Sequence, residues 1–421
     1  MQDIIFKIRS FFSTPGRQLS LFAIINVFIL LIWMNFSAFD PRIHPDVELY
    51  LSYADLMMNG QVPYRDFTVE YPPLALLLLL IPRLFSENLA GYADGFAILM
   101  VAFNLLGLYF ASRLSRLLKT NHCLALVIYT FSFFIIGDIA INRFDVVPAV
   151  LSLGAIYYFL KGSDKTAWFV LALGVLTKLY PAVLAPLFII SYLRGKEYKA
   201  LAKNLAIFVT TGLVAVLPFL IASPDGFWGF INFHSERGLQ LESGYASLLM
   251  LADMLGLTKV EIVLAYSSVD IWAPASDFFL AISNYVAIAA VFTCYVFYYR
   301  ANPTKERNCA KLAGFSVGVI SVLMVTTKIF STQFVIWLFP LIFLIDGRMR
   351  HPAWITFGII ALLSQYIYPH NYGQLMAFEQ PAVIFLILRN FLVLALGIAA
   401  MYFAGKPVKQ GKKRKTHKAL R

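Results

Sequence analysis

Long apolar runs recur along almost the whole 421-residue chain and constrain its fold more than any other feature. Residues 21–34 and 391–404, for example, are apolar all round, whereas membrane-spanning strands would alternate in polarity. About 20 apolar residues cross a hydrocarbon layer of roughly 30 Å as a helix. Only 14% of the residues are charged, against about 25% in soluble domains. The sequence therefore predicts an all-α, polytopic transmembrane protein.

The positions of the apolar runs predict about twelve spans within one membrane-embedded domain, residues 1–421. The predicted spans are 19–38, 93–113, 121–138, 144–161, 166–181, 182–195, 203–222, 276–300, 309–327, 330–346, 352–368 and 382–404. The apolar run 74–85 holds only about a dozen residues and contains Pro82 and Arg83, so a re-entrant or interfacial position is predicted for it.

The segments outside the spans divide into four predicted regions. Residues 1–18 form a cytoplasmic N-terminus, and residues 39–92 form a first external loop with juxtamembrane helices, one of them amphipathic over 46–58. Residues 223–275 form a long second external loop, in which 260–273 is expected to be a loop helix or a shallow re-entrant segment. Residues 405–421 form a basic cytoplasmic tail.

The distribution of charge orients these regions. Most of the 35 lysine and arginine residues fall in the N-terminus, in alternate loops and in the tail, and basic loops remain cytoplasmic. Both termini are therefore predicted to be cytoplasmic, in a plasma or inner cell membrane. The net charge of +12 then reflects topology and contact with membrane lipids, and no nucleic-acid partner is predicted.

Cysteine usage indicates neither a disulfide framework nor a metal site. Cys123, Cys294 and Cys309 show no CxxC spacing and have no histidine pair nearby. No cofactor is predicted.

Titratable residues near the external ends of the spans are the candidate functional groups, because charge at membrane depth is costly. Nine basic residues lie outside the cytoplasmic regions, namely Arg42, Arg65, Arg83, Arg143, Lys178, Arg237, Lys259, Lys328 and Arg389. A ring of such cations suits an anionic phosphate ligand. The first external loop adds the carboxylates Asp46, Asp66 and Glu70, one of which would suffice as a base in an inverting sugar transfer.

Each of these residues also has an ordinary structural interpretation. A loop carboxylate is usually solvated, and Asp145 could simply pair with Arg143. Lys178 could extend from its span to the interface, and His234 could be a loop residue without a role. Trp337 could belong to an interfacial aromatic belt.

Five segments together resemble one group of membrane enzymes. They are DVELYLSYADLMMNGQVPYRDFTVEYPPLALLL at 46–78, NRFDVVPAVLSL at 142–153, LGVLTKLYPAVLAPL at 173–187, FHSERGLQLES at 233–243 and STQFVIWLFPL at 331–341. In these segments the chain resembles the GT-C membrane glycosyltransferases, and among them glycosyltransferase family 87, the polyprenyl-phosphate-mannose-dependent mannosyltransferase-like proteins.

The resemblance implies an inverting transferase that takes a sugar from a polyprenyl-phosphate carrier and passes it to an envelope lipid or glycan on the external face. It implies that Asp46 is the catalytic base. The substrate-binding residues that we predict are Tyr50, Tyr64, Asp66, Glu70, Tyr71, Arg143, Asp145, Lys178, His234, Arg237, Lys328, Gln333 and Trp337. The sequence around residues 142–145 departs from the Gly-Gln often found there, so the donor sugar stays open.

Two other functions are kept as alternatives. A lipid-linked sugar transporter or flippase would show inverted repeats and charges near the membrane midplane, whereas here the charges cluster at one interface. A polysaccharide ligase or polymerase would share the large external loop and the cations, but it would transfer a whole glycan.

Overall fold

A computed structural model describes residues 14–36, 45–265, 268–303 and 309–406 of the chain. Its helices are α1 (Pro15–Phe36), α2 (Pro45–Met58), α3 (Pro73–Arg83), α4 (Leu89–Leu117), α5 (His122–Ile136), α6 (Ile139–Asn142), α7 (Val146–Lys161), α8 (Asp164–Thr177), α9 (Ala185–Arg194), α10 (Tyr198–Ala222), α11 (Pro224–Glu236), α12 (Gly244–Met254), α13 (Ser276–Arg300), α14 (Cys309–Thr326), α15 (Phe339–Ile342), α16 (Arg350–Gln365), α17 (Tyr372–Met376) and α18 (Gln380–Gly405). Short 3₁₀ helices lie at Tyr180–Leu184, Thr332–Trp337 and Gly347–Met349, and a π-helical turn lies at Tyr366–His370. The N-terminal residues 1–13 and most of the predicted basic tail fall outside the described residues.

Every predicted span contains helix, although the helices differ in length. In the described part of the chain, six helices are long and apolar enough to cross a membrane, namely α1, α4, α10, α13, α14 and α18. The other predicted spans fold as shorter helices or as helix pairs with a break between them. The multi-pass helical architecture thus matches the prediction, and the number of crossings stays a prediction.

Three of the breaks place cations at helix ends on one side of the molecule. Gly137 ends α5 with a φ of +74°, and Arg143 has an extended backbone between α6 and α7. Lys178 is also extended where α8 ends, and the chain resumes as a 3₁₀ helix at Tyr180. Lys328 lies in the loop between α14 and the 3₁₀ helix at 332–337.

Residues 45–92, which belong to the predicted first external loop, contain two short helices, as the sequence predicts. The helix α2 covers the predicted amphipathic stretch, and α3 has 11 residues, which at 1.5 Å per residue is about 16 Å. That length is about half of a hydrocarbon core, so α3 cannot cross one alone. Arg83 at its end pairs with Asp55 of α2 at 2.5 Å, which fixes the two helices to each other.

The predicted second external loop, residues 223–275, contains a small sheet that was not predicted from the sequence. The expectation of a helix or re-entrant segment over 260–273 is wrong, because this stretch forms the antiparallel strands β2 (Glu261–Ala265) and β3 (Ser268–Trp272). Strand β1 (Leu239–Gln240) completes a three-stranded sheet in the order β1-β3-β2. The β-branched residues of the segment fit a pleated surface better than a helix.

Small residues bring α14 and the last helix, α18, close together. A Cβ atom added to Gly397 would lie 2.6 Å from Cβ of Ser321, and one added to Gly314 would lie 2.7 Å from the Ala400 carbonyl oxygen. Such close packing through small residues is typical of membrane helices. It places α18 directly behind the part of α14 that leads into Lys328.

Candidate active site

A cavity of about 700 Å³ lies where the helix breaks meet the two segments that are predicted to be external. Eleven of the fourteen predicted site residues line it, namely Asp46, Tyr50, Glu70, Tyr71, Arg143, Asp145, Lys178, Arg237, Lys328, Gln333 and Trp337. These residues come from chain segments nearly 300 positions apart at the extremes. The fold therefore brings charged residues from both of the segments predicted to be external together around one space.

Asp46 and Arg143 form an ion pair at the cavity wall. Asp46 lies in the first turn of α2, where the helix dipole favours a carboxylate, and its Oδ2 contacts a terminal nitrogen of the Arg143 guanidinium. Arg143 also lies 5.9 Å from the ring centroid of Tyr368, a residue of the π-helical turn that lines the same cavity. Each charged side chain is largely but not fully covered, so both remain open to a ligand.

Asp145 is the centre of a second, more deeply buried group. Its Oδ1 accepts a hydrogen bond from Nζ of Lys178 at 2.6 Å and another from Nε1 of Trp337 at 2.7 Å. Aromatic rings surround the ammonium group, with the Phe144 and Phe334 centroids 5.2 and 5.3 Å from Nζ. The carboxylate is 1% exposed, so its role here is to hold these two partners in place.

The indole of Trp337 is itself fixed by stacking. Its ring lies parallel to that of Tyr180, with the centroids 4.0 Å apart, and the Phe334 ring stacks at 3.9 Å. With both rings against it and 4% exposure, the indole is held in one orientation, and its Nε1–H is directed at Asp145.

Arg237, Lys328 and Glu70 form the third charged group of the cavity. Lys328 donates hydrogen bonds to the carbonyl oxygens of Ser235 at 2.7 Å and Arg237 at 2.5 Å, and burial lowers the pKa of its ammonium group. Nε of Arg237 is buried and has no hydrogen-bond partner among the described residues. Burial raises the pKa of Glu70, and the charge of Arg237 opposes that rise.

Three of the predicted site residues are not among those that line the cavity. Tyr64 lies outside the cavity lining, where its hydroxyl donates to the Tyr71 carbonyl at 2.5 Å and its ring packs against Phe227. Asp66 also lies outside the lining and pairs with Arg65, whose hydrogen bond lowers the pKa of Asp66 to about 2. The side chain of His234 is outside the described residues.

The cavity is also lined by residues that were not predicted from the sequence. They are Phe144, Tyr180, Gln240, Glu242, Phe334, Tyr368 and Tyr372, together with Thr332 beside Gln333. Several of them are sequence neighbours of predicted site residues, and this proximity is the one feature of the sequence that could have identified them. Tyr368 and Tyr372 come from the predicted external end of 352–368, where only the aromatic, proline-containing sequence YIYPHNY marks them.

The residues that line the cavity can bind an anion through their cations. They can also remove a proton through a partly exposed carboxylate such as Asp46. Within the described ranges, no three histidine, cysteine or carboxylate side chains come together as metal ligands. The chemistry that these residues can supply themselves is thus electrostatic and acid–base.

Comparison with known proteins gives two findings about the chain. The sequence model of glycosyltransferase family 87 matches residues 67–327, which include Arg143, Lys178 and Arg237 but begin after Asp46. The fold is similar to the crystal structure of ArnT from Cupriavidus metallidurans in the apo state, with a TM-score of 0.50 and 11% sequence identity over 91% of this chain and 77% of that chain. No curated protein matches the sequence. At this identity the similarity to ArnT concerns the fold alone, and it confirms the predicted GT-C-like helical class.

Proposed function

Because the chain belongs to glycosyltransferase family 87, we propose that this membrane glycosyltransferase takes its sugar from a polyprenyl-phosphate carrier. The acceptor is an envelope lipid or glycan at the external face of the membrane, and mannose is one candidate donor sugar. The observation that carries the proposal is the cavity, which joins a carboxylate at a helix N-terminus to four cations in one space.

The proposed reaction is a single displacement with inversion. The acceptor hydroxyl attacks the anomeric carbon while Asp46 accepts the hydroxyl proton. The bond from the anomeric carbon to the phosphate oxygen breaks at the same time, and polyprenyl phosphate leaves with the electron pair. The cations Arg237 and Lys328 stabilise the charge that develops on the phosphate, so the leaving group needs no acid.

A lipid-linked donor is supported by the mixed character of the cavity wall. Beside the charged groups, the lining includes Leu179, Val183, Phe230 and Leu323. Leu179 and Val183 belong to the break between α8 and α9, and Leu323 belongs to the apolar helix α14. A phosphate next to apolar membrane-depth side chains fits a carrier with a charged head and a hydrocarbon tail.

The external location is supported by the order of helices. The chain turns between α4 and α5, between α7 and α8 and between α9 and α10 at the end that carries basic loops. Arg143, Lys178 and Lys328 lie at the opposite ends of the connected helices. Since basic loops remain cytoplasmic, the cavity is proposed to face outwards.

The proposed donor can be tested with the purified protein in lipid vesicles. Radiolabelled polyprenyl-phosphate mannose and glucose are offered in parallel with a polyprenyl-pyrophosphate oligosaccharide, with the lipid fraction of the source membranes as acceptor. We expect transfer of a single sugar from one of the monophosphate donors. Transfer from the pyrophosphate donor alone would instead indicate a ligase or polymerase, and movement of a donor across the vesicle membrane without transfer would indicate a flippase.

Replacing Arg237 with glutamine is expected to weaken donor binding more than acceptor binding. A hydrogen bond to a charged group contributes about 1.5–3 kcal/mol, so the donor KM should rise roughly 10- to 100-fold. Lys328→Gln should act in the same direction, since Lys328 lies beside Arg237.

Lys259→Gln is the matched control for this comparison. Lys259 belongs to the same external segment, is exposed and does not line the cavity. Its replacement should leave the donor KM unchanged. An unchanged donor KM in both Arg237→Gln and Lys328→Gln would exclude the assigned phosphate contacts.

A further inference from the structure

A buried polar cluster lies next to the cavity, where Arg389 and Asn390 of α18 contact Glu242 and Ser247. Arg389 is 0% exposed on α18, nine residues or about 14 Å along the helix axis from Gln380. It pairs with Glu242 of the second external segment through an Nη1–Oε2 distance of 3.1 Å. Neither residue belongs to the reaction described above.

All five N–H groups of Arg389 point at acceptors within the protein. Nη1 faces Oε2 of Glu242 and, at 3.4 Å, the hydroxyl oxygen of Thr332. Nη2 donates to the Glu242 carbonyl oxygen and to Oδ1 of Asn390, both at 2.8 Å, and Nε donates to the same Asn390 oxygen at 3.0 Å. With its donors used in this way, the guanidinium group is not available to a substrate phosphate.

Asn390 extends the cluster along the external segment. Its Nδ2 lies 3.0 Å from the Glu242 carbonyl oxygen, 3.2 Å from that of Ser243 and 2.8 Å from the hydroxyl of Ser247. The cluster therefore holds the backbone at the end of the β1 region and at the start of α12. A buried charge is retained only where such partners compensate it.

The cluster joins two walls of the cavity. Glu242 follows the stretch that carries Arg237 and Gln240, and Gln240 donates from Nε2 to the Ser331 hydroxyl at 2.5 Å. The Glu242 carboxylate accepts a hydrogen bond from Thr332, the first residue of the 3₁₀ helix that carries Trp337. One arginine–asparagine pair thus fixes the spacing between the wall with Arg237 and the wall with Trp337.

We propose that Arg389 and Asn390 are positioning residues, which set the distance between the Arg237 wall and the Trp337 wall and so determine how tightly the donor is held. The identity of the donor in this proposal rests on the proposed function. The attachment of the Arg237 wall to the Trp337 wall through Arg389 and Asn390 rests on the structure alone. The two parts call for two separate measurements.

Arg389→Lys is the informative kinetic variant, because it keeps the charge but removes the planar fork that joins Glu242, Asn390 and Thr332. A misplacement of about 1 Å can cost on the order of 100-fold, so we expect a loss of that order in kcat/KM for polyprenyl-phosphate mannose, with a raised donor KM as part of it. The acceptor KM should stay unchanged. Asn390→Ala should act in the same direction with a smaller effect.

Thr130→Val is the matched control, since it breaks another buried hydrogen bond between membrane helices. The Thr130 hydroxyl accepts from Nδ2 of Asn26 at 2.9 Å, and neither residue lines the cavity. We expect this variant to lose thermal stability but to keep the donor KM. If Arg389→Lys and Asn390→Ala also keep the donor KM, the cluster is structural and the positioning role is excluded.

Hydrogen–deuterium exchange of the full-length protein tests the attachment without any substrate. Arg389→Lys should increase amide exchange in both 237–243 and 332–337, whereas Thr130→Val should not. Unchanged exchange in these two segments would overturn the positioning proposal even if transfer is slow. Absence of wild-type transfer from polyprenyl-phosphate donors, with increased exchange in Arg389→Lys, would contradict the proposed function and support the attachment.

Discussion

Asp46→Asn should lower kcat for sugar transfer by about 10²- to 10⁴-fold, the usual contribution of a general base, while the protein stays folded in the membrane. The amide keeps the shape of the side chain but cannot take a proton from the acceptor hydroxyl. Arg143 is only 13% exposed and loses its carboxylate partner, so the unfolding midpoint should fall as well, although the amide oxygen can still accept a hydrogen bond from the guanidinium group. Steady-state transfer rates of the wild type and of Asp46→Asn measure the change in kcat. Thermal unfolding of the same two proteins shows whether the variant is folded.

Asp66→Asn is the control that separates catalysis from the loss of any loop carboxylate. Asp66 lies 20 positions further along the same predicted loop, pairs with Arg65 and lies outside the cavity lining, so its replacement should leave kcat nearly unchanged. If Asp46→Asn kept full activity, Asp46 could not be the base. Glu70 would then be the next carboxylate to replace, since it lines the same cavity.

The sequence predicted those parts of the structure that follow from local pattern and membrane physics. Apolar run lengths gave the helices, and the shortness of the 74–85 run gave a helix, α3, too short to cross. The charged residues at span ends, such as Arg143 and Lys178, proved to lie in one cavity because alternate span ends must meet at one membrane face. Membership in family 87 was predicted from the five quoted segments and is confirmed.

Long-range pairing could not be read from the sequence. Glu242 and Arg389 are buried partners that stand 147 positions apart, and nothing near either residue indicates the other. The strands β2 and β3 were not predicted because a stretch of this length suits a short helix as well as a strand pair, and the pairing of β3 with the distant β1 cannot be inferred from local pattern. Tyr64 was assigned to the site, yet its hydroxyl is used to hold the Tyr71 backbone.

Asp145→Asn is the second change for which we expect a large effect, and the main effect should be a lower free energy of unfolding. The substitution leaves the largely buried ammonium group of Lys178 without its carboxylate partner, and breaking such a pair costs about 3–5 kcal/mol. The asparagine can still accept from Trp337, so the loss comes mainly from the unpaired charge. Thermal unfolding in detergent should show a clearly lowered midpoint, together with weak transfer activity.

The double variant Asp145→Asn, Lys178→Met distinguishes folding from donor binding. Removing both charges eliminates the unpaired ammonium group, and replacing a buried pair with neutral residues is often close to neutral for stability. The unfolding midpoint should therefore return towards that of the wild type. Lys178 lines the cavity together with Arg237 and Lys328, so we expect it to contact the carrier phosphate as well, and the donor KM of the double variant should be roughly 10- to 100-fold above the wild-type value. Recovery of the donor KM along with stability would mean that Lys178 serves only to pair with Asp145.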